Sequence, residues 1–335
     1  MKIALIPESG KFYKVNMHCH TNISDGKNTP QEIKEMYKAA GYSAVCFTDH
    51  EVMIGHSELC DEDFIALHGY EVAIKQDELE HTGNFMKVYH FNIIAPSADR
   101  LEAVNYYLNC RSCPGNSKKY IEKFARYKNT IDHTEYDTDW INAYFKDISD
   151  AGFLVTYNHP IWSLQDARDY AGLRNIHAVE IINGAVSVCA ADNTSIPYET
   201  ILREGVRVVP VGGDDNHSPM HVGRAWTMVK AEELSYEALI KAYRNGDCYA
   251  SNGPSIESLV LEDGKIKIRT SPAVRINILT EGRYAKAVEV CSPTLTEAEF
   301  DYLPEEFGKF FRLEVRDEKG RCAFSGAYYT GDINV

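Results

Sequence analysis

The sequence lacks any long hydrophobic run. No window approaches the roughly 18 apolar residues that a membrane span requires, so no membrane partner is expected. The opening MKIALIPESGKFYKV turns charged after a short apolar run, which is not the pattern of a secretory signal. A basic surplus is also missing. The 335 residues carry a formal net charge of −14, which speaks against a binder of nucleic-acid polymers, because such a surface must neutralise phosphates. A small phosphorylated substrate remains compatible, since bound metal ions reverse the local field. The nine cysteines are an odd number scattered through apparent strands and helices. They read as reduced thiols in a cytoplasm, not as a disulfide framework. The lone Cys110-Arg-Ser-Cys113 has no second pair and no redox-fold context, and reads as two loop or helix-end cysteines. Internal repeats and low-complexity stretches are absent. With 44% hydrophobic residues, the chain can bury one large α/β domain, or a large and a small one.

The first two-thirds alternate strand and helix patterns. KVNMHC reads as a strand. TPQEIKEMYKAAG reads as a helix: Thr29 caps, Pro30 suits the first turn, Glu32 completes a capping box, and Gly41 suits the end. Ile33, Met36, Tyr37 and Ala40 fall on one face. SAVCFTDH follows as a buried strand, which makes a βαβ unit and favours a parallel sheet. FIALHGYEVAI and VYHFNIIAP read as strands around a polar excursion. Residues 99–150 read as a helical insertion, with Tyr120, Phe124 and Tyr127 at helical spacing and Trp140, Tyr144 and Phe145 following. FLVTYNH, AVEIING and VRVVPVGGDD are strands, with IPYETILREG a helix between the last two. About seven strand–helix repeats over residues 1–250 suggest an α/β barrel. From residue 251 to 335 the grammar changes to short strands around turns such as Asp263-Gly264, a small β-sandwich-like domain.

Chemistry concentrates at the strand ends. In a strand, His18 and His20 of NMHCHTNISDG share one face and Cys19 points to the other. Two imidazoles converging at a strand end form a metal clamp, and burying them unpaired would be costly. The pattern recurs: CFTDH ends in His50, HGYE presents Glu71, VYH presents His90, VTYNHP ends in His159, and VPVGGDDNH ends in Asp215 and His217. Repetition of metal-ligand residue types after apolar runs is a strong signal for a metal site at a barrel mouth.

HCHTNISDG, FTDHE, GYE, the later His90, NHP and GGDDNH occur in the order of the motifs of the PHP (polymerase and histidinol phosphatase) family of metal-dependent phosphoesterases, which residues 16 to about 225 resemble. RNGDCYASNGP followed by strands resembles the CehA/McbA-like branch. The resemblance implies a distorted (β/α)7 TIM-like barrel and a small C-terminal β domain. It also implies two or three divalent transition-metal ions. His18, His20, Glu71 and Asp215 would hold one ion. Glu71 would bridge to a second, held also by His90 and His159. Asp25, His50 and His217 would hold a third, although many relatives have His at the position of Asp25. His81 competes with His90 across a long insertion; His90 is preferred for its apolar strand pattern. Glu71, Asp215 and His217 are the expected catalytic residues. Mixed imidazole and carboxylate donors suit Mn, Fe or Zn better than Mg.

Other residues have two readings each. Asp49 orients a ligand histidine or makes a turn contact. Asp214, where the family commonly has a small Ser or Asn, supports the site from behind or alters its charge. Arg224 forks onto substrate or forms a surface salt bridge. Asn183 contacts substrate or makes a turn before Gly184. Glu180 is read as supporting, not ligating. Tyr157 and Trp162 are read as core packing in preference to an aromatic wall. His56, His68, His133, His177 and His221 fit no motif, and Glu58 to Asp63 reads as a solvated face. The expected function is metal-dependent hydrolysis of a small phosphate ester (a monoester, nucleotide or cyclic phosphodiester). The alternatives are hydrolysis at a carbon centre or a non-catalytic, metal-stabilised binding module. Amidohydrolase barrels often add a carboxylated lysine, and no lysine stands at an expected strand end.

Overall fold

The computed structural model of the chain describes residues 2–76, 85–107, 113–188 and 193–333. In chain order, β1 (Lys2–Ala4) and β2 (Lys11–Asn16) precede α1 (Pro30–Ala39), β3 (Ala44–Phe47), β4 (Ile65–Lys75) and β5 (Val88–Ile94). An insertion holds β6 (Tyr106–Tyr107), α2 (Ser117–Phe124), β7 (Thr130–Ile131) and α3 (Thr138–Asp150). The chain continues through β8 (Leu154–Tyr157), α4 (Ala167–Tyr170), β9 (Ala178–Asn183), α5 (Gly184–Val188), α6 (Ile196–Arg203) and β10 (Val209–Gly213). It then forms β11 (Trp226–Ala231), α7 (Tyr236–Asn245) and β12 (Cys248–Ser251).

Helix α1 forms as its sequence dictates. Thr29 Oγ1 accepts from Glu32 N and Glu32 Oε2 accepts from Thr29 N at 2.7 Å, a reciprocal capping box with Pro30 in the first turn. Ile33 and Tyr37 are buried, and Met36 and Ala40 pack beside them. Gly41, just past the end, takes the left-handed conformation at φ 78°.

The main sheet runs β10-β9-β8-β5-β4-β3-β2-β11-β12 and then into C-terminal strands. Strands β2, β3 and β4 are parallel, as are β8, β9 and β10, but β5 is antiparallel to both β4 and β8. A regular (β/α)7 alternation is therefore not what these strands show. Between β3 and β4 the described residues hold only a short 3₁₀ turn, Ser57–Leu59. An antiparallel pair such as β4–β5 needs no helical crossover.

The far edge of the sheet turns back toward its start. Asp215 N donates to His18 O at 2.9 Å, and His20 N donates to Asn216 O at 3.2 Å. Glycine makes this approach feasible. A Cβ on Gly212 would lie 2.6 Å from Trp226 O, and one on Gly213 would lie 2.7 Å from the His18 Cβ.

Inside, the side chains form levels. Val15, Ala44, Ile65, Leu67, Ile94, Leu154, Ala178 and Val211 form an apolar floor, completed by Tyr236, Leu239, Ile240 and Tyr243 of α7. Two-residue steps along the strands from this floor reach polar groups. Leu67 leads to Gly69 and Glu71, and Ile94 to Asn92 and His90. Leu154 leads to Thr156 and Asn158, Ala178 to Glu180, and Val211 to Gly213 and Asp215.

The insertion differs from the helical expectation. It carries two helices of eight or more residues, α2 and α3, and a two-stranded parallel ribbon, β6–β7. Tyr127 lies beyond α2, because Ala125 already has extended backbone. Cysteine usage also needs correction. Cys19, Cys46, Cys60, Cys248, Cys291 and Cys322 are free, but Cys113 is disulfide-bonded. Cys110 and His81 lie outside the described residues.

Beyond β12, strands Ile256–Glu262 and Lys265–Ala273 form the expected hairpin, with Asp263 and Gly264 at φ 51° and 73°. They join β1 and Leu295–Asp301 in a four-stranded sheet. Strands Cys322–Ser325, Phe310–Arg316, Arg275–Thr280 and Ala285–Glu289 extend the main sheet past β12. Residues of both sheets, among them Ile256, Leu259, Ile268, Ile276, Phe311 and Leu313, share one core. The buried Arg312 reaches back to Glu199 on α6.

Candidate metal centre

The nine residues read as metal ligands meet at one end of the sheet. His18 and His20 follow β2, Asp25 lies on the next loop, and His50 follows β3. Glu71 and His90 stand within β4 and β5, not at strand termini. They are level with the rest because His50 bridges Glu71, and His90 is paired with Ala73. His159 follows β8, and Asp215 and His217 follow β10. His159 and Asp215 take positive φ, 26° and 48°. Such conformations persist only where surroundings fix them. His159 N donates to Glu180 Oε2 at 3.1 Å and Asp215 N is held by His18 O.

Glu71 is the hub. Its Oε1 lies 3.2 Å from His18 Nε2, 3.2 Å from His90 Nδ1 and 3.3 Å from His159 Nε2. Its Oε2 lies 3.3 Å from His20 Nε2 and 3.2 Å from His50 Nδ1. Asp215 Oδ1 lies 3.0 Å from His20 Nε2 and 3.3 Å from His18 Nε2. Asp25 faces His217 Nε2 at 3.4 Å and His50 Nε2 at 3.7 Å. Eight of the nine fall into three overlapping donor groups: His20, Asp25, His50 and His217; His18, His20 and Asp215; and His18, Glu71 and His159. His20 thus stands with the Asp25 group as well as with His18. His90 is in none of these and meets the cluster through Glu71 Oε1.

This donor set fits divalent cations. His18 Nε2 and His20 Nε2 are 3.1 Å apart, so with both lone pairs turned inward the two rings suit one cation. Asp25 Oδ1 is buried without a hydrogen-bond partner. The charges agree. Burial alone would depress the His18 imidazole, but the Asp215, Glu71 and Glu180 carboxylates outweigh it and hold it well above its ordinary value. His20 is likewise raised, to about 10, against the cost of burial by Asp215 and Glu71. Burial would raise the Glu71 carboxyl, yet His18, His90 and His50 hold it well below the usual range. Burial and the neighbouring His20 push His50 down to about 3. Without cations, protons must neutralise the buried carboxylates; metal ions take their place and release them.

A second ring of residues fixes the donors. Glu180 Oε1 meets His18 Nδ1 at 3.1 Å, while its Oε2 accepts from His159 N and from Asn183 Nδ2. Asn183 also donates to Asp215 Oδ2 at 3.2 Å, and its Oδ1 accepts from Val186 N. It therefore positions a donor and makes a turn at once. Asn158, which the sequence reading missed, donates to Glu71 Oε1 at 2.8 Å. Its signal was its place immediately before His159, two steps above the floor.

Among the described residues Asp49 makes no hydrogen bond to a histidine. It accepts from Thr21 N and Oγ1 and from Ser24 N and Oγ, and Ser24 Oγ lies 3.4 Å from His20 Nδ1. Asp214 faces away from the donors. It accepts from the backbone N–H groups of Gly223, Arg224 and Ala225 and from the Tyr37 and Tyr42 hydroxyls. Burial, opposed by those bonds, pushes its carboxyl up to about 6. The Arg224 guanidinium bonds Met220 O at 2.7 Å and does not line the cleft.

The donors open into a cleft of about 860 Å³. Tyr157 is buried, but Trp162 is 48% exposed and lines the cleft, so it is a wall and not core. Lys75, the last residue of β4, also lines the cleft. A lysine does stand at a strand end, contrary to the sequence reading, because β4 runs four residues past Glu71. At roughly 3.3 Å per residue it lies about 13 Å beyond Glu71 along the strand. Glu71, not Lys75, occupies the hub.

Among the described residues no helix is long and apolar enough to cross a membrane. Compared with known families, residues 16–159 match the PHP domain and residues 207–248 match the PHP-associated region. No curated protein matches the chain. A two-domain protein from Bacteroides vulgatus, described as containing a predicted PHP-like metal-dependent phosphoesterase, is similar over 97% of both chains at 14% identity and TM-score 0.47. An amidohydrolase from Chromobacterium violaceum is similar over 61% of this chain and 88% of its own, at 15% identity and TM-score 0.37. A lesion-specific endonuclease from Pyrococcus furiosus is similar over 70% of this chain and 56% of its own, at 14% identity and TM-score 0.40. The likeness to the PHP domain over residues 16–159 and to the PHP-associated region over residues 207–248 takes in every residue of the histidine and carboxylate cluster.

Proposed function

We propose that the protein is a metal-dependent phosphoesterase acting on a small phosphate ester. The observation that carries this reading is the Glu71 hub, whose two oxygens face two different sets of imidazoles. Two or three ions (Mn, Fe or Zn) would be held by His18, His20, Asp25, His50, Glu71, His90, His159, Asp215 and His217. When bound, such ions activate water and stabilise charge that develops on phosphoryl oxygens. We further read the strands from β2 to β10 as a distorted seven-stranded barrel occupying residues 1–250, with residues 251–335 as a second domain.

The reaction joins a water oxygen to phosphorus and breaks the bond from phosphorus to the ester oxygen. The proton lost by the water passes to a base, and the departing alkoxide takes a proton from solvent through the open cleft. Asp215 is the base in this scheme, with its Oδ2 oriented by Asn183. The His217 Nδ1–H donates to Asp215 O at 2.9 Å, which turns Nε2 toward Asp25 and the cleft. Glu180 and Asn158 keep His18 and Glu71 in place.

The test is hydrolysis of phosphate monoesters, nucleotides and cyclic phosphodiesters after reconstitution with Mn, Fe or Zn. Product is followed by free phosphate and by chromatography. Turnover by the wild type, abolished in Glu71→Gln, is the expected result. Normal activity in a folded Glu71→Gln variant would overturn the binuclear arrangement. Silence across the panel with metal bound would favour hydrolysis at a carbon centre or a binding role.

A further inference from the structure

Trp162 is the largest apolar side chain that the cleft leaves in water. It is 48% exposed, and its ring centroid lies 5.1 Å from that of His159 and 5.8 Å from that of His90. Among the described residues its indole N–H has no hydrogen-bond partner. The loop beneath it is fixed. Ser163 N donates to His159 O, Gln165 N to Pro160 O, and Leu164 N to Ile161 O. Ser163 Oγ lies 3.2 Å from His159 Nδ1, so the segment that carries the indole also orients a donor histidine. Tyr136, which also lines the cleft, is held by its hydroxyl, which donates to Asp169 Oδ1 at 3.0 Å and accepts from Gln165 Nε2 of that loop at 3.2 Å. The volume of about 860 Å³ lies high in the roughly 300–1,000 Å³ range of small-molecule sites. There is room for an organic group beyond the phosphoryl.

The charge of the cleft narrows that group. Among the described lining residues Lys75 is the only cation besides histidines, and Glu51 and Glu135 add carboxyls. A second phosphate or a polyanionic chain would meet few partners there. A flat ring with polar edges fits, since its face can lie on the indole and its edge groups can meet Gln76 or the glutamates.

We propose that Trp162 is a specificity-determining stacking surface, and that the site selects phosphate esters whose alcohol part carries one flat heteroaromatic ring. This rests on the phosphoesterase reading above. The discriminating pair is a nucleoside 5′-monophosphate and ribose 5-phosphate, which share the leaving primary alcohol and differ by the base. Stacking of one base on an aromatic side chain corresponds to about 5- to 150-fold. The wild type, loaded with Mn, is expected to favour the nucleotide in kcat/KM by a factor in that range. Trp162→Phe retains most of the ratio and Trp162→Leu brings it toward one. Losses common to both substrates cancel in the ratio, so a merely structural defect does not move it. A wild type without preference, or a ratio unchanged in Trp162→Leu, overturns the proposal.

Calorimetric binding of the same two compounds separates the two claims. If neither these two nor any ester of the panel above is hydrolysed but the nucleotide binds more tightly through Trp162, the phosphoesterase reading falls and the stacking surface stands. Equal binding of both compounds by the wild type overturns the stacking surface.

Discussion

Each donor histidine has only two ring nitrogens, so the group on the far nitrogen decides where the near one points. For His18 that group is Glu180, at 3.1 Å from Nδ1. Glu180 also holds the His159 backbone and Asn183, so one carboxylate orients three parts of the site. Residues that orient ligands in this way typically matter about 10- to 100-fold in metal affinity or activity. Glu180→Gln is expected to weaken metal binding by that amount, measured by competition with a chelator, while the far-ultraviolet circular dichroism stays unchanged. Unaltered affinity would assign Glu180 to packing alone. The ligand types and their alternation were legible in the sequence, because HxH and DxH place both side chains on one face. The partners of Asp214 were not. Its neighbour Asp215 turns into the site at φ 48°, and only the packing of Tyr37, Tyr42 and the 223–225 backbone against the sheet shows that Asp214 faces the other way.

Strands carry the site, and their lengths set its level. β4 has eleven residues, so Glu71 sits mid-strand and Lys75 reaches the cleft wall. The sequence run FIALHGYEVAI announced a strand but not which residue would be level with His50; the His50–Glu71 bridge fixes that. Direction was equally hidden. Periodicity of two is the same for parallel and antiparallel strands, so VYHFNII gave a strand whose reversal only its neighbours reveal. The return of β10 toward β2 depends on the absence of side chains. Gly212→Ala would bring a Cβ to 2.6 Å from the Trp226 carbonyl oxygen, backbone that cannot rotate aside. Overpacking of this kind costs about 1–3 kcal/mol. A urea unfolding curve should shift to lower midpoint by that amount, with weaker metal binding because Asp215 lies three residues further on. A midpoint equal to the wild type would mean that the strand moves freely.

At the scale of the molecule, metal binding and folding are linked. Ions held by the proposed centre would favour the folded chain, because the donors come from residues as far apart as 18 and 217. At a free-ion concentration 100-fold above Kd the folded state gains about 2.7 kcal/mol. Removal of metal, verified by elemental analysis, should lower Tm by several degrees, and its restoration should reverse the loss. Because the donors must shed protons to bind, affinity should rise with pH. A separate dependence comes from two histidines away from the centre. Burial pushes His177 and His68 down to about 4, against about 6.5 in an unfolded chain. Between these values the unfolded state holds more protons, so their contribution is present above about 6.5 and is lost as pH falls toward 4. Each is on the order of 1–3 kcal/mol. Denaturation of metal-free protein at pH 7 and pH 5 should show the loss, and His177→Gln should flatten it. An equal slope in that variant would remove His177 from the account.

The sequence by itself determined the ligand types, their order, the α1 caps, the Asp263-Gly264 hairpin and the net negative charge. These are local properties, written in spacing and composition. Only the tertiary structure decided that Glu71 faces imidazoles on both of its oxygens, that Asn158 and Glu180 hold the donors, that β5 runs backwards and that Trp162 stands in the cleft. Those facts depend on which strands become neighbours, in which direction and at what register, and contacts between residues as far apart as His18 and Asp215 are made by the closing of the sheet.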